Sequence, residues 1–421
     1  MIFECKNHVT WDTWMYFRDN KYYLYYLITD RSGGEGFGVA VSEDGIHYED
    51  RGTCITASDK MVIYLGTGAV WESPDFEKDK TFICNYSEWR RDESAGKHYQ
   101  NIFFATSKDL IHWEKTGEDG VFPVDERYYV RCDEDGGRWD CIYPNRTAEG
   151  YEGFFTATPK EYIGCGYAVS EDGLRWTAKK PPKFSLDGHD DIRQGVEAGA
   201  VCVYGGKYYM LMGTYLYRYG MSVMVSDSPD GIYRPQKKNF SLLSNRSFMH
   251  AYFMRIADVN GKKYVNHHVL LRETNEFGRN TTLAAPLKEI DFDEEGILRL
   301  RWAALNEGLK GEEISDFDFE NGFVAEYESA KADEISFKTD KETVTLQFGF
   351  DDCSLKIFEN GVLAEDICKD VCAAGRRVRI LYRNTLMEVY ADDYFVTCYT
   401  FKDGVRTVEN QNGQKIWRIN L

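Results

Sequence analysis

Short runs of aromatic and β-branched residues, bounded by charge or glycine, dominate the chain. KYYLYYLI (21–28), KTFICNY (80–86), KYYMLMG (207–213) and KKYVNHHVLL (262–271) are the clearest of them. Their length and residue types predict strands, while sustained helical periodicity is hard to find anywhere. Composition agrees: 29 Tyr, 25 Phe and 37 Gly against 9 Pro favour many short strands joined by tight turns.

These runs recur. Each is followed by a second strand that ends in a turn of similar chemistry: GVAVSEDGIHYED (38–50), FFATSKDLIHWEK (103–115), GYAVSEDGLRWTA (166–178) and VMVSDSPDGIYRP (223–235). The turn serines Ser42, Ser107, Ser170 and Ser226 are 65, 63 and 56 residues apart. A weaker fifth copy, RNTTLAAPLKEIDF, begins at Arg279. In the Ser-x-Asp-Gly turn, Ser and Asp bond back to the local backbone and Gly accepts a positive φ. Five repeats of about 60 residues, each with about four strands, predict a five-bladed β-propeller. A parallel α/β fold would need helices between strands, and unrelated hairpins in a sandwich would not repeat one turn at even steps.

Beyond residue 302 the repeat stops. Segment 303–316, containing the charged NEGLKGEEISD, reads as a linker. VTLQFGF, SLKIFENG, RVRILYR, LMEVYAD and YFVTCYTF then alternate apolar and polar residues, which predicts antiparallel strands with one buried face. The expected architecture is therefore all-β: a five-bladed β-propeller over 1–302, a linker over 303–316 and a β-sandwich over 317–421.

Charge narrows the function. With 51 basic and 69 acidic residues the net charge is −18, which argues against nucleic acid and anionic membranes as partners. No apolar run approaches the roughly 20 residues that span a bilayer. The start, Met1-Ile-Phe-Glu-Cys-Lys, lacks a secretory pattern, and the 11 cysteines include no close CxxC pair. Both point to a cytoplasmic protein with reduced thiols. In that setting the sequons at Asn145, Asn245 and Asn280 read as chance matches. No spacing matches a zinc site, an EF-hand, a P-loop, a Rossmann glycine pattern or a serine-hydrolase elbow, so no metal and no cofactor are expected.

The chemistry of a propeller sits where the inner strands converge on the channel, and three inner segments carry an acid. Asp12 precedes Tyr22 by ten residues, Asp140 precedes Tyr151 by eleven and Glu197 precedes Tyr208 by eleven. Matched offsets predict matched heights around one axis. Acids crowded in apolar surroundings suit glycoside cleavage, which needs one protonated and one ionised carboxyl; the alternative is strand-start acids that cap amides or pair with Arg. Trp14, Trp71 and Trp139 are candidates to stack on sugar, with blade packing as the alternative for each. Arg138, beside Asp140, and Arg193, in the polar loop SLDGHDDIRQGVE, are candidate hydroxyl-binding groups. GTGAVWESPD (66–75) has no acid at the matched place and is expected to supply Trp71 and backbone groups. His250 is either a sugar contact or a core histidine.

Acids in the order Asp, Asp, Glu on blades one, three and four, followed by a sandwich, resemble glycoside hydrolase family 32. RVRILYRNTLMEVYADD (377–393) is similar to a sandwich stretch of that family, matching at Arg379, Ile380, Glu388, Val389 and Asp393. The resemblance implies a retaining β-fructofuranosidase with Asp12 as nucleophile, Asp140 as transition-state stabiliser and Glu197 as acid/base. The reading favoured is an exo-acting hydrolase of short furanose-containing oligosaccharides, since a chain expected to stay in the cytoplasm meets small imported substrates rather than polymers. The motifs depart from the family at Trp11, Thr13, Trp139 and Ala198. Glu197-Ala-Gly also resembles the general-acid segment of family 43, whose propellers cleave arabinofuranosides and xylosides by inversion. Propellers with one catalytic acid also occur among mannoside phosphorylases, and a non-catalytic sugar binder is the other class. The sandwich is a candidate surface for homo-oligomers.

Overall fold

The computed structural model describes residues 3–420, apart from 30–35, 60, 93–96, 118–119, 133–136, 187–195, 215–219, 240, 244–245, 275–277, 279, 330–331, 350–352, 369–375 and 410–412. Blade one is Thr10–Arg18, Lys21–Ile28, Gly36–Ser42 and Glu49–Thr56, hydrogen-bonded in chain order. Blades three, four and five begin from the inner strands Trp139–Thr147, Val196–Tyr204 and Ala251–Val259. In blade two, Val62–Gly66 and Val70–Glu72 both pair with one long strand, Phe82–Asp92. Neighbouring blades pack face to face, so middle strands are covered on both sides. That is why KYYLYYLI has almost no polar interruption: Leu24 through Ile28 are all buried.

The repeated turn forms as its chemistry requires. Ser42 Oγ accepts from Gly45 N at 2.8 Å, and Asp44 Oδ1 accepts from Ile46 N and His47 N at 2.8 Å each. Ser170 and Asp172 repeat the pattern around Gly173, which has φ 77°. In blade two Leu110 replaces the glycine at φ 68°. Its side chain is buried with Phe76 and Phe82, which offsets a left-handed cost of about 1–2 kcal/mol.

Side chains and a short N-terminal bridge close the ring. Phe3 exchanges backbone hydrogen bonds with Ala284 of blade five at 3.2 and 2.9 Å. Asn266 of blade five donates to Thr13 O at 2.8 Å and to Thr13 Oγ1 at 2.9 Å in blade one.

Segment 303–316 departs from the expected linker. Ala304–Leu309 is a 3-10 helix, and Lys310–Ile314 is a strand that pairs with Lys415–Ile419 of the sandwich. Edge strands tolerate charge because one side faces water, and KGEEI is mostly exposed. The sandwich itself has two sheets, and one of them is continuous with blade five through Arg301 and Tyr394. The other includes the hairpin at Asn360-Gly361, with φ 50° and 80°, where the sequence predicts a turn.

Four inner strands carry a β-bulge close to the channel: between Trp11 and Thr13, Asp140 and Tyr143, Ala198 and Ala200, and Tyr252 and Arg255. Asp12 lies one residue nearer its hairpin turn than the other two acids do, and it is itself the extra residue of its bulge. Bulges re-aim side chains, and here they occur where the acids stand.

Candidate active site

Two hydroxyl residues of blade two, Thr67 and Ser87, hold two of the acids. Thr67 Oγ1 donates to Asp12 Oδ2, on the blade-one side. On the blade-three side Ser87 Oγ donates to Asp140 Oδ1, and Gln100 Nε2 donates to Ser87 Oγ at 3.3 Å. Gly66 is the close approach that permits this: any side chain there would collide with the Asp140 carboxylate and the Ser87 hydroxyl. Asp12 and Asp140 therefore flank one strand from opposite blades.

Arg138 ties in the third acid. Its Nη2 donates to Asp140 Oδ2 at 3.4 Å and to Glu197 Oε1 at 3.1 Å. The side chains of Asp12 and Asp140 are 10% and 3% exposed, and that of Glu197 is 12% exposed.

Burial pushes the Asp12 carboxyl up to about 7, and the Glu197 and Asp140 charges push the same way. The Thr67 hydrogen bond and Arg255 work against that rise. His268 Nδ1 stands 3.5 Å from Asp12 Oδ1. That is long for a hydrogen bond, and burial lowers His268 to about 3, so the contact is between a neutral imidazole and a carboxyl. Trp11 covers the His268 ring, with centroids 5.0 Å apart.

Arg255 is the floor of the site. It is 1% exposed, and its Nη1 donates to Gly199 O at 2.6 Å and its Nη2 to Cys141 O at 3.3 Å. Both acceptors are bulge carbonyls just after Glu197 and Asp140, so one cation braces two acid-bearing turns. Tyr64 of blade two stands near all three acids; burial, then their charges, hold its phenol well above the ordinary value, as a neutral donor.

The structure brings Asp12, Asp140, Glu197 and Arg138 together. It does not bring the three tryptophans or His250 to them. Trp14 is packed against Tyr25 and Phe37, and Trp71 against Phe104 and Trp176. Trp139 is fully buried, donates Nε1 to Phe122 O at 2.7 Å and is surrounded by Phe122, Tyr129 and Phe155. Their faces are used by neighbouring rings, so none can stack on a sugar. His250 is fully buried at the seam with the sandwich, its Nδ1 at 2.9 Å from Thr400 Oγ1. Arg193 and the loop residues His189, Asp190, Asp191 and Gln194 lie outside the described residues.

The blade-two stretch does contribute to the site, but through Gly66 and Thr67 rather than Trp71. Residue type alone pointed to the tryptophan; a hydroxyl donor at an inner-strand end is a weaker signal. Arg255 does carry a signal in the sequence, since an Arg inside the apolar run AYFMRI must find buried partners.

A cavity of about 640 Å³ is lined by Tyr16, Glu72, Asn145, Arg255 and Asp258 among others, toward the hairpin ends of the inner strands. None of the three acids lines it. Among the described residues, no group of three or more His, Cys, Asp or Glu is placed to hold a metal ion.

No family model and no curated protein matches the chain. Solved structures do. A family 32 β-fructofuranosidase from Bombyx mori superposes with TM-score 0.77 at 14% identity, covering 98% of this chain and 93% of its own. A sucrose-6-phosphate hydrolase from Lactobacillus gasseri gives 0.76 at 12% identity, with 98% and 92% covered. Fructan 1-exohydrolase IIa from Cichorium intybus gives 0.72 at 11%, with 99% and 96% covered. The chain has the propeller-plus-sandwich fold of family 32 enzymes over nearly its whole length.

Proposed function

We propose that the protein is a glycoside hydrolase of β-fructofuranosidase type that acts from the end of short furanose-containing oligosaccharides. The observation that carries this reading is the convergence of Asp12, Asp140 and Glu197 from three blades, two held by the Thr67 and Ser87 hydroxyls of blade two and two bridged by Arg138. Three carboxyls around one closed-floored channel match what glycoside cleavage demands, and the fold shared with family 32 enzymes supports the assignment.

In this mechanism Asp12 attacks the anomeric carbon as Glu197 gives its proton to the leaving oxygen. Glu197 then takes a proton from water, whose oxygen displaces Asp12 and frees the sugar. Asp140 accepts hydrogen bonds from ring hydroxyls while positive charge develops on the ring. A carboxyl pushed up to about 7 by burial serves equally well as a general base. The second reading is therefore inversion, with Asp12 activating water as in family 43.

The test is to incubate the protein with sucrose, 1-kestose and arabino-oligosaccharides and record the first-formed anomer by NMR. Net retention on a fructoside is expected, with turnover lowered by roughly 10³-fold or more in Glu197→Gln. Net inversion would select the second reading. Sugar binding without turnover on any substrate would make the protein a binder.

A further inference from the structure

His268 carries a feature the catalytic reading does not use. It is fully buried, and neither of its ring nitrogens has a hydrogen-bond partner among the described residues. Buried polar groups are normally satisfied, and an apolar side chain of similar bulk would fill this space at no polar cost. The nearest acceptor is in the active site itself: His268 Nδ1 stands 3.5 Å from Asp12 Oδ1.

Strand alternation puts it there. His268 belongs to Lys262–Thr274, the second strand of blade five, in which successive side chains face opposite ways. Asn266 and His268 turn toward blade one: Asn266 donates to Thr13, and His268 meets Asp12, the residue before it. His267, between them, turns away, with Nε2 at 2.9 Å from Lys288 Nζ. Trp11 lies over the His268 ring at 5.0 Å, and Tyr252, its cross-strand neighbour, lies at 6.4 Å, so the imidazole is held in place. The Asp12 carboxyl is thus caught between the Thr67 hydroxyl at Oδ2 and the imidazole at Oδ1.

The titratable and charged groups that face Asp12 are Glu197 of blade four, Asp140 and Cys141 of blade three, Tyr64 of blade two and Arg255 of blade five. Those that face the His268 ring are Asp12 and Tyr252, with His267 next in the chain. Burial lowers the ring to about 3, so it stays neutral while the carboxyl titrates. A neutral imidazole can donate from Nδ1 to a carboxylate or, as the other tautomer, accept at Nδ1 from the protonated acid. It follows the carboxyl through its titration without adding a charge.

We propose that His268 is a positioning residue for Asp12: its Nδ1–H closes on Oδ1 of the ionised carboxylate and, with the Thr67 hydroxyl on Oδ2, fixes the plane from which that carboxylate acts. The contact stands apart from the hydrolase reading; the step it serves rests on that reading. Catalytic hydrogen bonds are often long in a resting site and tighten as charge develops. A donor to the ionised form favours that form, so His268 lowers the pH at which Asp12 becomes competent.

The first experiment is ¹⁵N NMR of the His268 ring in the wild type, from about pH 5 to 9. The ring should change tautomer with a midpoint near 7, Nδ1 carrying the proton above it, and the step should vanish in Asp12→Asn. The second is kinetic, on sucrose and 1-kestose. His268→Leu should lower kcat roughly 10–100-fold, keep KM within about threefold and move the acid limb of kcat/KM up by about half a pH unit or more. His268→Asn, whose amide nitrogen can take the place of Nδ1, should recover most of the rate and return the limb. Ring signals flat through the range, or a His268→Leu variant with the wild-type rate and limb, overturn the positioning role and leave the hydrolase standing. Equal losses in both variants with the limb unmoved reduce His268 to packing and overturn it too. The tautomer step in a protein that turns over neither sugar overturns the hydrolase and keeps the contact.

Discussion

Asp12→Asn is expected to lower kcat by about 10⁴-fold or more, since a carboxamide can neither attack the anomeric carbon nor activate water. The same change should make the protein more stable above neutral pH. In the unfolded chain the Asp12 carboxyl releases its proton near its ordinary value, whereas in the folded protein it keeps that proton to about 7. Between those limits the native state binds one proton more, so stability falls as pH rises through the window and is level above it. Asn has no such loss. Its advantage should be nil at pH 4 and on the order of 2–4 kcal/mol at pH 8, read by urea denaturation at both. Activity runs the other way: as nucleophile or base Asp12 must be ionised, so kcat/KM of the wild type should fall as pH drops through about 7. Arg255→Met removes a charge that favours ionised Asp12 and should move this limb to higher pH. A limb that falls with rising pH near 7 would instead make Asp12 the proton donor and overturn both readings.

Much of the fold was legible because it depends on repetition. Four copies of one turn, each with a Ser and most with an Asp and a Gly, announce blades whatever the residues between them do. The acids were legible for the same reason, since equivalent places in a repeat become equivalent places around an axis. What failed was inference from residue type alone. Trp14, Trp71 and Trp139 are the rings most suited to sugar, yet they are also those that best fill the space between blades, and packing took them. Lys310–Ile314 was hidden by its charge, which reflects an edge position rather than the absence of a strand. Arg379, Glu388 and Asp393, which carried the sandwich resemblance, are not near the acids. They belong to ion networks: Arg379 pairs with Glu326 at 2.7 Å and with Asp393 at 2.8 Å.

Glu388 is the most exacting of these. It is fully buried, accepts from Tyr390 Oη at 2.6 Å and is paired with Lys288, which is also fully buried and comes from blade five. Lys288 Nζ donates to Pro286 O at 2.8 Å and lies 2.9 Å from His267 Nε2, so all its protons are used. Burial pulls the Lys288 ammonium below its ordinary value and the Glu388 charge resists, leaving a charged pair across the seam between propeller and sandwich. Lys288→Met fills similar space but strands the carboxylate with one hydroxyl donor. The expected loss is about 3–5 kcal/mol in urea denaturation, among the largest for any single change away from the acids. Glu388→Leu should cost a similar amount by stranding the ammonium. The double variant, with neither charge buried, should recover most of either loss, because the penalty comes from the unpaired charge rather than from a missing attraction. Single variants within about 1 kcal/mol of wild type would mean that water reaches the pair, and a double variant as unstable as the sum of both would mean that packing, not charge, holds the seam.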